Sequence, residues 1–340
     1  MIKNILLYLS LFVTIIGNAQ LADFENVDFR EADKVAISLY GNDLKSLPIL
    51  AYNLTHSLPS DVEKFRAIFM WVSTNIENDY KYYLKNAKER NRLKKDSVAL
   101  KVWNKEFSVK VFKKLLKEQK TVCTGYAYLI KELSNLANIE CEMIDGYGRT
   151  VNDNNKEPYI PNHSWNAVKL NNKWYLCDAT WASGVFDLDK YDFEFHYNNG
   201  YFLSNPEMFA TNHFPLDSRW LLTEKENKLS QFLKAPFVYR DAFKYEIMSL
   251  EPSVMFLEVN QYYEVSFVLK DRVSIDIDAI SVELVSGSYN KSTKPSVIRN
   301  EDGFIELKYL FNARGDYDVH IKLNEDYLFT YVVKVKREKK

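Results

Sequence analysis

Thr121-Val-Cys-Thr-Gly-Tyr-Ala127, read with His163-Ser-Trp-Asn-Ala-Val168 and Trp174-Tyr-Leu-Cys-Asp-Ala-Thr-Trp181, carries most of what this sequence says about its fold. In chain order these stretches supply a thiol, an imidazole and a carboxylate. Nucleophilic acyl chemistry needs those three groups: a thiolate attacks a carbonyl, an imidazole carries the proton, and an acid fixes the imidazole tautomer. The apolar residues Tyr126, Ala127, Ile130, Leu133 and Ala137 recur at helical spacing and predict a helix from Thr124 to about Asn135. Cys123 then stands at or just before a helix N-terminus, where free N–H groups and the positive end of the helix dipole favour a thiolate.

The other two groups fall on a predicted hairpin. Asn171-Asn172 separates two strand-like runs, and asparagine tolerates the positive φ of a two-residue turn. Pairing Leu170 with Lys173 sets His163 opposite Thr180 and Trp165 opposite Asp178. Residues opposite one another, or two apart on one strand, share a face, so His163 and Asp178 become diagonal neighbours at a backbone separation of roughly 7 Å. A one-residue slip would part them. The same register turns Cys177 to the other face, so it reads as a buried core thiol, as does Cys141 within Ile139-Glu-Cys-Glu-Met-Ile144; a disulfide between the two is the alternative. No two Cys or His stand at the close spacings of structural zinc, so neither metal nor cofactor is expected. His56, His196 and His320 read as surface or structural residues, and His213, in Asn212-His-Phe-Pro215, as structural or site-lining.

Composition sets the frame for these motifs. The 340 residues are 46% hydrophobic and 15% aromatic, enough for a large core and, by length, for two domains. Lys plus Arg (45) nearly balance Asp plus Glu (46), so no global field draws nucleic acid or an anionic membrane. Met1–Gln20 reads as a secretory signal: Lys3, an apolar run from Ile5 to Ile16, then Gly17-Asn-Ala19, with residues 1–19 removed. The run is short of the roughly 20 residues that span a bilayer, so the expected location is secreted or periplasmic, without stable membrane insertion after cleavage. Three cysteines leave at least one thiol unpaired in such a compartment.

Along the chain, Ala32–Tyr40 fits a strand or a short helix. Ser60-Asp-Val-Glu63 is a capping box followed by Val62, Phe65, Phe69, Val72 and Ile76, the buried face of a helix. Residues 81–105 are basic and sparsely apolar, as in a solvated helix or loop, with substrate steering as the rival reading; Val111, Phe112, Leu115 and Leu116 suggest a further short helix. From about Asp241 onward, short runs rich in Val, Ile, Tyr and Phe at 254–259, 262–269, 280–285, 304–311, 317–323 and 328–335 predict an all-β sandwich over 240–340.

At these residues the chain resembles the transglutaminase-like superfamily, and most of all its kyphoscoliosis-peptidase-type branch. Phe69-Met-Trp-Val-Ser-Thr-Asn-Ile76, Asp79-Tyr80, the Cys123, His163 and Asp178 blocks, Gly146-Tyr147 and Asn212-His-Phe-Pro-Leu-Asp217 with Trp220 carry the resemblance, over roughly residues 60 to 235. It departs in Thr121, where such proteins often have Gly, and in the length of the basic 81–105 segment. The resemblance implies an α+β, papain-like core over 20–235, with the nucleophile on a helix N-terminus packed on an antiparallel sheet; the sandwich predicted after it from the run pattern is expected to be immunoglobulin-like. It implies Cys123 as nucleophile, His163 as general base and acid, and Asp178 as orienting carboxylate, in an exported cysteine peptidase or acyltransferase acting on amides of protein or peptide substrates. Trp165, Tyr126 and Trp181 are the expected substrate-binding residues. The rival reading is a silent scaffold whose sandwich docks a partner.

Overall fold

The computed structural model describes residues 21–149, 160–187, 189–224 and 226–337. The leader expected at Met1–Gln20 lies outside them. Helices α1 (Arg30–Ser38), α2 (Leu47–Thr55) and α3 (Asp61–Asn75) come first, so Ala32–Tyr40 resolves in favour of a helix, with Ala32 and Ala36 buried. The capping box at the start of α3 is present in both directions between Ser60 and Glu63. Val62, Phe65, Phe69, Val72 and Ile76 are all buried.

Helices α4 (Tyr80–Leu93) and α5 (Ser97–Glu118) form a hairpin, each started by an aspartate cap: Asp79 accepts from Tyr82 N at 3.0 Å and Asp96 from Ala99 N at 2.9 Å. The short helix suggested by Val111–Leu116 is therefore the end of one 22-residue helix. Its first half shows almost no core pattern because it buries little, and its helicity comes from the cap and from helix-forming residues. Phe107, Val111 and Val122 build a small second core between this hairpin and the chain entering helix α6 (Cys123–Leu136).

Helix α6 lies on a four-stranded antiparallel sheet of β1 (Cys141–Gly148), β2 (His163–Leu170), β3 (Lys173–Cys177) and β4 (His213–Pro215), in the order β3-β2-β1-β4. The β2–β3 hairpin turns at Asn171 and Asn172, with φ of 49° and 62°, and pairs Leu170 with Lys173 through to Asn166 with Cys177, as expected. Asn166 Nδ2 donates to the Ala127 carbonyl at 2.9 Å and ties the sheet to α6. The five-residue helix α7 (Ala179–Ser183) follows β3 at once.

The C-terminal part is a β-sandwich. Strands β5 (Ile247–Glu251), β7 (Tyr263–Asp271), β10 (Ser296–Arg299) and β11 (Ile305–Phe311) form one sheet. The other contains β6 (Phe256–Asn260), β8 (Ile280–Ser286), β9 (Tyr289–Thr293), β12 (Gly315–Leu323) and β13 (Asp326–Lys336). Alternate residues face inward, Val265, Phe267 and Leu269 from one sheet meeting Val319, Ile321 and Val333 from the other, and Phe267 packs on Tyr331 with ring centroids 4.9 Å apart. The sequence pattern passes over β5, β9 and β10, which bury little. Phe237–Val238 pairs with β13, so the chain joins the second sheet before the sandwich proper begins.

Gly146 stands where three strands of the first sheet meet, paired with His163 on one side and Pro215 on the other. A Cβ there would fall 2.3 Å from the Phe214 carbonyl oxygen and 2.5 Å from the Trp165 ring. Gly146→Ala is expected to pry β4 from β1 and cost roughly 1–3 kcal/mol, read by urea denaturation; a change of under about 0.5 kcal/mol, the range of ordinary surface substitutions, would contradict this close-approach argument.

Candidate functional site

Cys123 is the first residue of α6, after Val122 in extended conformation, and is half-buried. As in any first turn, its N–H has no acceptor within the helix. Thr121 explains the glycine two residues on from the cysteine: its Oγ1 lies 1.9 Å from where a Gly125 Cβ would stand. A larger residue at 125 would require a smaller one at 121.

His163 opens β2 and Asp178 follows the end of β3, and the two meet on one face: His163 Nε2–H donates to Asp178 Oδ2 at 2.7 Å. Because Nε2 is engaged, Nδ1 is the ring nitrogen left for the interaction of His163 with the Cys123 thiol. Asp178 is buried, and its Oδ1 accepts from the backbone N–H groups of Thr180 (2.8 Å) and Trp181 (3.2 Å), capping α7.

Burial alone would raise the Cys123 thiol, but the hydrogen bond and charge of His163, with the Ser164 backbone N–H, outweigh it and lower the pKa. For His163 burial disfavours charge, yet the Asp178 carboxylate and the thiol together hold the imidazole well above its ordinary value. Burial also opposes the charge of Asp178, and the two histidines beside it more than compensate, keeping its carboxyl below the usual range. The result is a group arrangement in which thiolate and imidazolium can coexist.

The second of those histidines is His213 on β4. Its Nε2–H donates to the same Asp178 Oδ2 at 3.1 Å, and its Nδ1 stands 2.6 Å from Asn212 Oδ1; a half-turn of that amide puts Nδ2–H there as the donor a neutral ring accepts. It stacks on Phe209 at 3.8 Å and packs against Trp181 at 4.3 Å and Trp165 at 5.0 Å. Burial dominates and pulls its pKa down to about 4, so the ring is neutral at pH 7. Sequence spacing left the role of His213 open, since it lies 35 residues beyond Asp178 and only the β1–β4 pairing brings it in. His163, Asp178 and His213 are also grouped as a metal-ligating set would be, with ligand atoms within 4.8 Å. Their 2.7 and 3.1 Å separations are hydrogen bonds; tetrahedral ligands at about 2.05 Å from zinc would stand roughly 3.3 Å apart.

Of the three aromatics expected to touch substrate, Tyr126 is 0% and Trp165 1% exposed. Tyr126 donates its hydroxyl to the Ile76 carbonyl and Trp165 packs beneath the site, so neither presents surface to a substrate. Trp181 is partly exposed and stacks on the His163 ring at 4.6 Å. Cys141 and Cys177 are free and buried, with no disulfide between them, and burial pushes both thiols up, Cys141 to about 12.

Residues 49–179 match the transglutaminase-like superfamily, a span that includes Cys123, His163 and Asp178, and over it the chain carries a transglutaminase-like domain. The mouse protein named kyphoscoliosis peptidase is 30% identical over 231 residues, 66% of this chain and 32% of that protein. Drosophila melanogaster hillarin is 25% identical over 239 residues, 64% of this chain and 26% of its own length. This chain thus spans about a third or less of the length of these curated relatives. Among solved structures, the Lin-41 filamin domain aligns with 27% of this chain and 93% of its own at 12% identity and a TM-score of 0.23.

The neutral state of His213 has a thermodynamic consequence. Its folded pKa lies below the unfolded value of about 6.5, so between about pH 6.5 and 4 the unfolded chain binds more protons and acidification destabilises the fold, by about 1 kcal/mol per pH unit from this group. His213→Gln, which retains an N–H for Asp178, is expected to flatten that limb when stability is measured by denaturation from pH 7 to 4. An unchanged slope would mean that His213 is not buried as a neutral ring.

Proposed function

We propose that this protein is a cysteine-dependent acyl-transfer enzyme that opens amide bonds of protein or peptide substrates through a thioester on Cys123, with water as the usual acceptor. One observation carries the reading: the Asp178 carboxylate holds the His163 imidazole at 2.7 Å, and that same ring interacts with the Cys123 thiol and lowers its pKa. The peptidase name of the 30%-identical relative favours hydrolysis over amine transfer. The signal-like Met1–Gln20 supports action after export.

In this mechanism the thiolate sulfur attacks the amide carbon, and the carbonyl π pair moves to oxygen. The Cys123 backbone N–H at the α6 terminus supports that oxyanion. Collapse re-forms the carbonyl and breaks the C–N bond as His163 Nδ1–H gives its proton to the leaving amine. His163, now neutral, then takes a proton from water as it attacks the thioester, and the carboxylic acid and thiolate are released. Asp178 keeps Nε2 protonated throughout and the ring plane aligned. Trp181 covers one ring face and limits its rotation.

The test is incubation of the protein with peptide amides, with and without a primary amine, comparing wild type, Cys123→Ala and His163→Ala. Each substitution is expected to lower turnover by about a thousandfold or more, with hydrolysed product dominating by mass spectrometry. Equal activity in wild type and Cys123→Ala would end the proposal. The pH profile adds an independent check. Activity should persist below the ordinary thiol pKa, because the thiol is lowered, and should fall on the alkaline side only above the ordinary imidazole value, because His163 is raised. Asp178→Asn should draw the alkaline limb down towards neutrality.

A further inference from the structure

The basic segment that starts α4 and α5 contains one side chain whose surroundings differ from the rest. On α4, Tyr83, Asn86 and Arg90 are three and four residues apart and share a face. Asn86 accepts from Trp103 Nε1 of α5 at 2.9 Å, and Tyr83 packs against the small core that includes Val122, the residue before Cys123. This face therefore rests on the chain entering the nucleophile. Arg90 lies one turn further on, where its guanidinium interacts electrostatically with Cys123 and with Asp145 of β1. Its Nε is buried and donates to nothing among the described residues. By contrast, Arg92 is paired with Glu89 at 2.9 Å and faces solvent.

A buried N–H without an acceptor is costly, and a guanidinium cannot shed its proton to relieve that cost. Asp145 does not close the gap: it is exposed, and its Oδ1 already accepts from Ser164 Oγ at 2.6 Å. The planar N–H fork of arginine fits a carboxylate better than any neutral acceptor. In the thioester the sulfur is uncharged, so at that stage the guanidinium also loses the anion of the free enzyme.

We infer that Arg90 is a substrate-binding residue that receives a carboxylate of the substrate, either an acidic side chain or a chain-terminal carboxylate, beside the amide attacked by Cys123. The inference rests on the proposed cysteine chemistry and deepens it: the substrate class becomes acidic peptides, and the α4–α5 hairpin becomes one wall of the binding groove.

Two nearly isosteric reagents test it on the whole protein. Iodoacetate carries the carboxylate and iodoacetamide carries a neutral amide, while Cys141 and Cys177 are buried and leave Cys123 as the reporting thiol. The ratio of the iodoacetate rate to the iodoacetamide rate is expected to fall about tenfold in Arg90→Gln and in the volume-preserving Arg90→Met, with a smaller fall in Arg90→Lys. Above the acid limb the iodoacetamide rate should stay within about twofold of wild type, while the limb itself moves up with loss of the guanidinium charge beside the thiolate. An unchanged ratio overturns the inference and leaves the cysteine mechanism standing; equal slowing of both reagents above the acid limb also overturns it, since Arg90 would then act on the thiolate alone. A Cys123 unreactive to both reagents at low pH defeats the mechanism and the inference with it. Peptide amides with Glu at successive positions, set against the same peptides with a free C-terminal carboxylate, identify the source: KM for one set should rise in Arg90→Gln with kcat held. No Arg90-dependent KM in either set counts against the inference.

Discussion

The Asp178 carboxylate is the point on which the site depends. It is 1% exposed, and an ionised carboxylate so placed is destabilising by several kcal/mol unless its lone pairs are met. Two backbone N–H groups of α7 meet one oxygen, and two imidazoles meet the other. One side chain therefore fixes where α7 starts, which way the His163 ring faces at the head of β2, and how β4 closes on the sheet. Taking the carboxylate away strands four donors in the interior, a larger loss than any single bond of about 1 kcal/mol suggests.

The thiol reaches this assembly from a different layer, so the meeting depends on the packing of α6 on the sheet. The Asn166 to Ala127 bond sets that contact one helical turn from Cys123, and buried Trp165 fills the space beneath. Two glycines let the rings approach. At Gly146 a side chain would strike the Phe214 carbonyl, and at Gly148 it would lie 3.0 Å from His163 Cβ and from the Trp181 ring. Backbone thinness on β1 is thus what allows His163 to lie between Trp181 and the carboxylate. Cys123 and His163 each open a regular element and Asp178 caps α7 at the single-residue junction with β3, which fixes all three groups.

The hairpin was legible because period-two alternation and an Asn-Asn turn together leave one register, and that register alone unites His163 with Asp178. Helix α6 was legible because it buries a single stripe. The N-terminal helix α1 and most of α5 were not, since each buries too few side chains for a period to emerge and each relies on neighbours or caps. His213 could not be placed because nothing local links β4 to Asp178; the pairing of Gly148 with His213 is a long-range event. Arg90 was hidden for the opposite reason. Its segment is so basic that one half-buried arginine with an enclosed Nε looks in sequence like its solvated neighbours.

Two imidazoles on one carboxylate oxygen differ in which of them holds the extra proton, and their surroundings decide it. His163 faces the thiol as well as the carboxylate, so two anions favour its charged form. His213 has only its share of Asp178, is enclosed by Phe209, Trp165 and Trp181, and is repelled by the charge on its companion. A single carboxylate offsets one imidazolium, and the second ring stays neutral. Environments that drive paired titratable groups apart in this way separate their roles. His213 gives the carboxylate a hydrogen bond without neutralising it, so the full negative charge remains available to His163, and at neutral pH the positive charge of the pair rests on that one ring.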